Sequence, residues 1–172
     1  YFFEDLTSVK GILKNVSENT AVGGYFIGTC YDGNKLFSKL EDLKKGESYT
    51  VYKEDTVILE ITKQYENTEF NNDDTSLGYG IDVLQETINM KWREYLVNFN
   101  YLVRLMENFG FKVLDKAECE EKELPASVGN FNMLFNKMED EMLANPKLKY
   151  GDSNKISDEE KEISFLNKFF IF

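Results

Sequence analysis

Gly23–Gly33 reads Gly-Gly-Tyr-Phe-Ile-Gly-Thr-Cys-Tyr-Asp-Gly, and Arg93–Phe99 reads Arg-Glu-Tyr-Leu-Val-Asn-Phe. In the first stretch an apolar run, Tyr25–Thr29, lies between glycines and leads to an Asp-Gly turn. That pattern predicts a buried strand, a central parallel strand of an α/β sheet. The second stretch sets one carboxylate, Glu94, ahead of an apolar run that opens a helix. Ligands of open α/β sheets sit beyond the carboxyl ends of the strands. The loop Cys30–Asn34 falls there, so the two stretches together predict a cleft with a single carboxylate in its wall.

The flanking sequence extends this plan. Leu6, Val9, Ile12, Leu13 and Val16 recur at helical spacing and predict a helix over 5–19. Asp32 or Asn34 caps a second helix running to Leu43. Residues 48–65 read as a hairpin and Tyr79–Ile88 as a further strand, which defines an antiparallel β insertion over 46–90. Asn98 starts a helix with Leu102, Leu105, Met106 and Phe109 on its apolar face, ended by Gly110. Phe111–Leu114 reads as a strand and Glu118–Glu123 as a solvated acidic connector. Phe131, Leu134, Phe135, Met138 and Met142 predict a helix over 130–144, with its methionines in the core. Ser157–Glu160 is a capping-box signature, and Phe165–Phe172 closes the chain as a strand. Helices alternating with apolar strands give an α/β fold class.

Composition narrows the functions. The 172 residues suit one domain or part of one, and 42% hydrophobic content supports a packed core. A net charge of −11 opposes tracking along a phosphate backbone but leaves a single-nucleotide pocket open. With no histidine in the sequence, Ser-His-Asp and Cys-His catalysis and histidine metal sites are excluded within this chain. Cys30 and Cys119 give neither a disulfide framework nor a metal spacing, which points to a reducing, cytoplasmic compartment. No apolar run reaches membrane-spanning length, so no membrane partner is expected. Aromatic runs at both ends, Tyr1-Phe2-Phe3 and Phe169–Phe172, suggest a piece of a longer domain.

Three stretches carry a family likeness. Tyr1-Phe2-Phe3-Glu4, Gly23–Thr29 and Glu94-Tyr95-Leu96-Val97-Asn98-Phe99 resemble the second half of messenger RNA cap guanine-N7 methyltransferases. The likeness is to the methyltransferase domain of capping enzymes of large cytoplasmic DNA viruses in particular, and Tyr150-Gly151-Asp152 with Ser157–Phe172 resembles the same branch. The resemblance implies a class I, Rossmann-like fold that uses S-adenosyl-L-methionine, of which residues 1–172 form the C-terminal portion. The glycine-rich cofactor loop and the ribose-holding acidic residue of the family have no counterpart here. Gly78-Tyr79-Gly80 precedes a strand and fails the strand-to-helix context. The cofactor-binding half is therefore expected upstream of Tyr1.

The resemblance also implies roles. Glu94 reads the guanine edge. Tyr1 matches the Tyr of a His-Tyr pair and lines both the guanine and the cofactor. Tyr31 lies on the loop that approaches the cap nucleoside, where many relatives have Pro. Asn167 matches a Tyr of the closing strand, and Phe165 is the substitute if the register slips. No catalytic base and no metal are implied, because guanine N7 already carries a lone pair and the reaction runs by proximity. The implied partners are the capped mRNA 5′ end (GpppN), with a stimulatory subunit or fused guanylyltransferase and triphosphatase domains.

The residues by themselves leave other readings open. Glu94 also reads as a helix-start carboxylate favoured by the helix dipole. Tyr1, Phe2 and Phe3 also read as core, Asp32 as a cap, Lys91 and Arg93 as a solvated pair, and Trp92 as packing under a loop. A small-molecule methyltransferase of the same fold is one alternative function. A non-catalytic, methyltransferase-like stimulatory subunit is another.

Overall fold

A computed structural model describes residues 1–88 and 90–172. After a single turn at Phe2–Glu4, the elements run α1 (Leu6–Asn19), β1 (Ile27–Tyr31), α2 (Gly33–Lys39), β2 (Ser48–Lys53), β3 (Thr56–Lys63), β4 (Gly80–Gln85) and β5 (Met90–Tyr95). They continue with α3 (Phe99–Asn108), α4 (Lys116–Glu121), β6 (Val128–Asn130), α5 (Phe131–Ala144), α6 (Asp158–Ser164) and β7 (Asn167–Ile171). The fold is mixed α/β.

The strands form two sheets. One has the order β1-β7-β6 and the other is a meander, β2-β3-β4-β5. In the first sheet, Gly28 lies opposite Phe170. A Cβ at Gly28 would stand 2.5 Å from the Phe170 ring, so only glycine leaves room for that ring to cross the strand. In the meander, the inward residues Leu59, Ile61, Ile81 and Val83 are fully buried and pack with Leu36 of α2 and with Leu40 just after it. A second core joins Val9 and Leu13 of α1 to Leu102 and Met106 of α3 and to Phe170 and Phe172. The two cores meet where β1, β5 and β7 approach one another.

Polar ties hold the meander in place. Buried Lys63 on β3 donates to the backbone carbonyls of Leu40 (2.9 Å) and Leu43 (2.8 Å), beyond the end of α2. On α6, Glu160 pairs with Lys53 at 2.9 Å and Glu162 with Lys39 at 3.1 Å. These two carboxylates dock α6 on β2 and α2.

Several expectations are corrected. The strand after Gly24 is β1, and it pairs antiparallel with β7; no parallel pair occurs among the described residues. The helix capped by Asp32 ends at Lys39, short of Leu43. Phe111–Leu114 is not a strand: the Leu114 N–H is taken by the Ser127 hydroxyl at 2.9 Å rather than by a neighbouring strand. The strand of that region is Val128–Asn130. Lys116–Glu121, inside the expected connector, is a helix with an Asp115/Glu118 capping box. The antiparallel segment continues past residue 90 through Tyr95. Met133, Met138 and Met142 on α5 are only half-buried. Among the described residues no helix is long and apolar enough to cross a membrane, and no side-chain cluster is suited to a metal.

Candidate functional site

A cavity of about 590 Å³ opens where β1 and β7 face β5 and the N-terminal turn. That volume is in the range of small-molecule sites, roughly 300–1,000 Å³. Apolar side chains, among them Leu13, Phe26, Leu102 and Phe170, form its floor. Tyr1, Tyr31, Glu94 and Asn167 all line it, so the four residues expected from the sequence stand around one space.

The pleat of β5 aims Glu94. Trp92 and Glu94 stand opposite Val83 and Ile81, both fully buried, and so share the inward face. Lys91 and Arg93 take the other face, where they pair with Glu60 and Asp82. Glu94 is therefore a strand residue and not a helix-start carboxylate; Asn98 begins α3 by accepting from Tyr101 N–H at 3.1 Å. Trp92 Nε1 donates to Glu94 Oε1 at 2.9 Å. The Glu94 side chain is 33% exposed, at the cavity wall rather than under it.

β1 and β7 supply the opposite wall. Tyr31 and Asn167 are direct cross-strand partners. Burial, and then the nearby Glu94 carboxylate, push the Tyr31 hydroxyl up to about 12, so it remains a donor at ordinary pH. Burial, and then Asp32 and Glu94, push the Cys30 thiol up to about 12 as well, which leaves it a weak nucleophile. The Asn167 amide nitrogen donates to the carbonyls of Ile163 (3.3 Å) and Ser164 (3.2 Å). Its carbonyl oxygen is the group left for a ligand.

One junction sets both walls. Asp32 Oδ1 accepts from the Asn34 and Lys35 amides at 3.2 and 3.3 Å and caps α2, while Oδ2 meets Lys168 Nζ at 3.3 Å. The neighbouring Gly33 N–H donates to Val97 O at 3.1 Å. The end of β1 is thereby fastened to β7 and to the chain leaving β5.

Other expectations fare differently. Phe165 stands away from the cavity, in edge contact with Phe135 at 5.7 Å, so it does not replace Asn167. Tyr1 and Phe2 are 76% and 51% exposed at the rim, while Phe3 is half-buried, lines the cavity and packs against the second core. Trp92 also lines the cavity, with Thr29, Gln85 and Tyr95, and was missed as a site residue. Its signal was the alternation Trp92-x-Glu94 against Lys91-x-Arg93.

Three glycines are already committed to packing or backbone contacts. A Cβ on Gly33 would meet Val97 O at 2.3 Å and one on Gly28 the Phe170 ring, while Gly78 N–H is used by Phe3 O at 3.0 Å. These three glycines are therefore not a nucleoside cradle. The cavity fits a flat, partly apolar ring. Glu94 is the one charged side chain among its described lining residues. Trp92 engages one lone-pair direction of that carboxylate, which leaves acceptor capacity on both oxygens. Such a pair of acceptors matches two adjacent N–H donors on one edge of a heterocycle.

The chain matches the mRNA (guanine-N(7))-methyltransferase domain family over residues 1–172. It is 31% identical over 121 residues to a probable mRNA-capping enzyme of Acanthamoeba polyphaga mimivirus, a match covering 67% of this chain and 10% of that protein. The chain thus spans about a tenth of that relative's length. By the match along its whole length, the chain belongs to the mRNA (guanine-N(7))-methyltransferase domain family.

Proposed function

We propose that this domain holds the guanine of an mRNA cap for methylation at N7, as part of a cap guanine-N7 methyltransferase. The observation that carries the reading is Glu94, a lone carboxylate oriented by Trp92, with acceptor capacity on both oxygens, in a ring-sized cavity. Guanine offers N1–H and its exocyclic amine side by side. Adenine has no such donor pair, and a site built to satisfy hydrogen bonds rejects a ligand that leaves them unpaired. Tyr31 and Asn167 add a donor and an acceptor on the far wall, and Tyr1 closes the rim.

N7 needs no general base, since its lone pair is already available. These residues contribute orientation and exclusion of water, both worth rate through proximity. S-adenosyl-L-methionine is the methyl source in this reading. The capped 5′ end of mRNA is the substrate. The two free cysteines suit a cytoplasmic setting. Competition between nucleotides tests the reading: GTP should displace a bound GpppG analogue and ATP should not. Equal displacement by both would remove guanine recognition from this cavity.

A further inference from the structure

A second, shallower cavity of about 360 Å³ continues from the first, and Gln85 and Asn167 line both. It lies between the tip of the meander and the α5–α6 side. Ile58, Phe131 and Ile163 give it apolar walls, while Thr87 and Ser164 supply hydroxyls. Its charged groups are Lys53, Glu86 and Glu160, and Lys53 is already paired with Glu160 at 2.9 Å. One engaged lysine against two carboxylates makes a poor phosphate site. A neutral, flat group with an apolar face and hydrogen-bonding edges suits it better.

The geometry points to the second nucleoside of the capped end, the one beyond the 5′–5′ triphosphate, as the occupant of this groove. The inference rests on guanine occupying the first cavity. With the guanine against Glu94, the chain of the ligand leaves past Gln85 and Asn167, the two residues common to both spaces. The triphosphate then crosses the open mouth near neutral amides, and the second base packs on Phe131 and Ile163. Such packing is sequence-tolerant, because every base has an apolar face.

Calorimetric titration of the protein with GpppA and with the γ-methyl ester of GTP tests this. The two ligands carry the same guanine and the same bridge charge and differ in the second nucleoside. GpppA should bind about tenfold tighter, in line with one stacked base. Phe131→Ala should remove that advantage and leave the ester's affinity unchanged. Thr87→Trp, which fills the groove from an exposed turn without disturbing the core, should do the same if Phe131→Ala fails to fold. Equal wild-type affinities, or variants that weaken both ligands alike, overturn the inference while leaving the guanine reading intact. Ester binding that is indifferent to Glu94→Gln brings both down.

Discussion

Trp92 donates its indole N–H to Glu94 Oε1 across 2.9 Å, from the same face of β5. The bond is local, between residues two apart on a pleated strand, and it fixes the angle at which the carboxylate meets the cavity. It engages Oε1 alone and leaves acceptor capacity on both oxygens.

Trp92→Phe keeps a ring in the wall and deletes the donor. A hydrogen bond to a charged group contributes ~1.5–3 kcal/mol. We expect cap affinity to fall by about tenfold or more, and discrimination between guanosine and inosine caps, which differ by the exocyclic amine, to narrow. Competition binding with both caps reads the two effects. Unchanged discrimination would assign the bond a purely structural role.

Gly33→Ala should destabilise the fold through a single contact. The new Cβ would stand 2.3 Å from Val97 O and 2.7 Å from Val97 N. Overpacking against backbone costs ~1–3 kcal/mol or more. Because Gly33 fastens the end of β1 to the chain after β5, Tyr31 and Glu94 should lose their common geometry as well. A thermal melt should show a lowered midpoint, and cap binding should weaken beyond what the folded fraction explains.

Alkaline pH should destabilise the protein. The Cys30 thiol is raised from 9.0 to about 12 and the Tyr31 hydroxyl from 10.0 to about 12, burial being the leading cause in each case. Between those values the unfolded chain releases protons that the folded one retains. Stability from these groups is full below pH 9.0 and declines as pH rises toward about 12. Denaturant titrations across this window should show the decline, and Cys30→Ala should flatten it. A stability that rises over the same window would contradict the burial of these two groups.

Salt should matter little to cap binding by this chain. Among the described residues its cavity lining contains no lysine or arginine side chain, and Lys91 and Arg93 are paired on the far face of β5. Each phosphate neutralised on a single strand would add a slope of about −0.7 in log K against log salt. We expect a slope near zero. A steep one would locate recognition in the triphosphate instead of the base.

Much of this fold is written locally. Asp32, Asn98 and Ser157 cap the helices that their side chains predict, because a cap depends on residues two to three positions away. What was lost depends on distant partners. Phe111–Leu114 has the apolar composition of a strand, yet Ser127, thirteen residues on, takes a backbone donor that a strand would need. β6 is only Val128–Asn130 and centres on a glycine, too short for periodicity to register. The antiparallel pairing of β1 depends on β7, which arrives at the other end of the chain. Within the site, the motif around Glu94 was legible, but its strand context was hidden by the apolar run that follows. Trp92 lay two residues away on the same face, and the period-two alternation that marks it runs through only six residues.

Trp92 is the sole tryptophan and it lines the cavity, so its fluorescence reports directly on the space in question. The decisive titration adds GpppG to the wild-type protein and to Glu94→Gln while following that emission. Wild type should show a saturable change, and Glu94→Gln should need about ten to a hundred times more ligand, the loss expected for a charged hydrogen bond. Identical curves for the two proteins would mean that Glu94 does not touch the guanine.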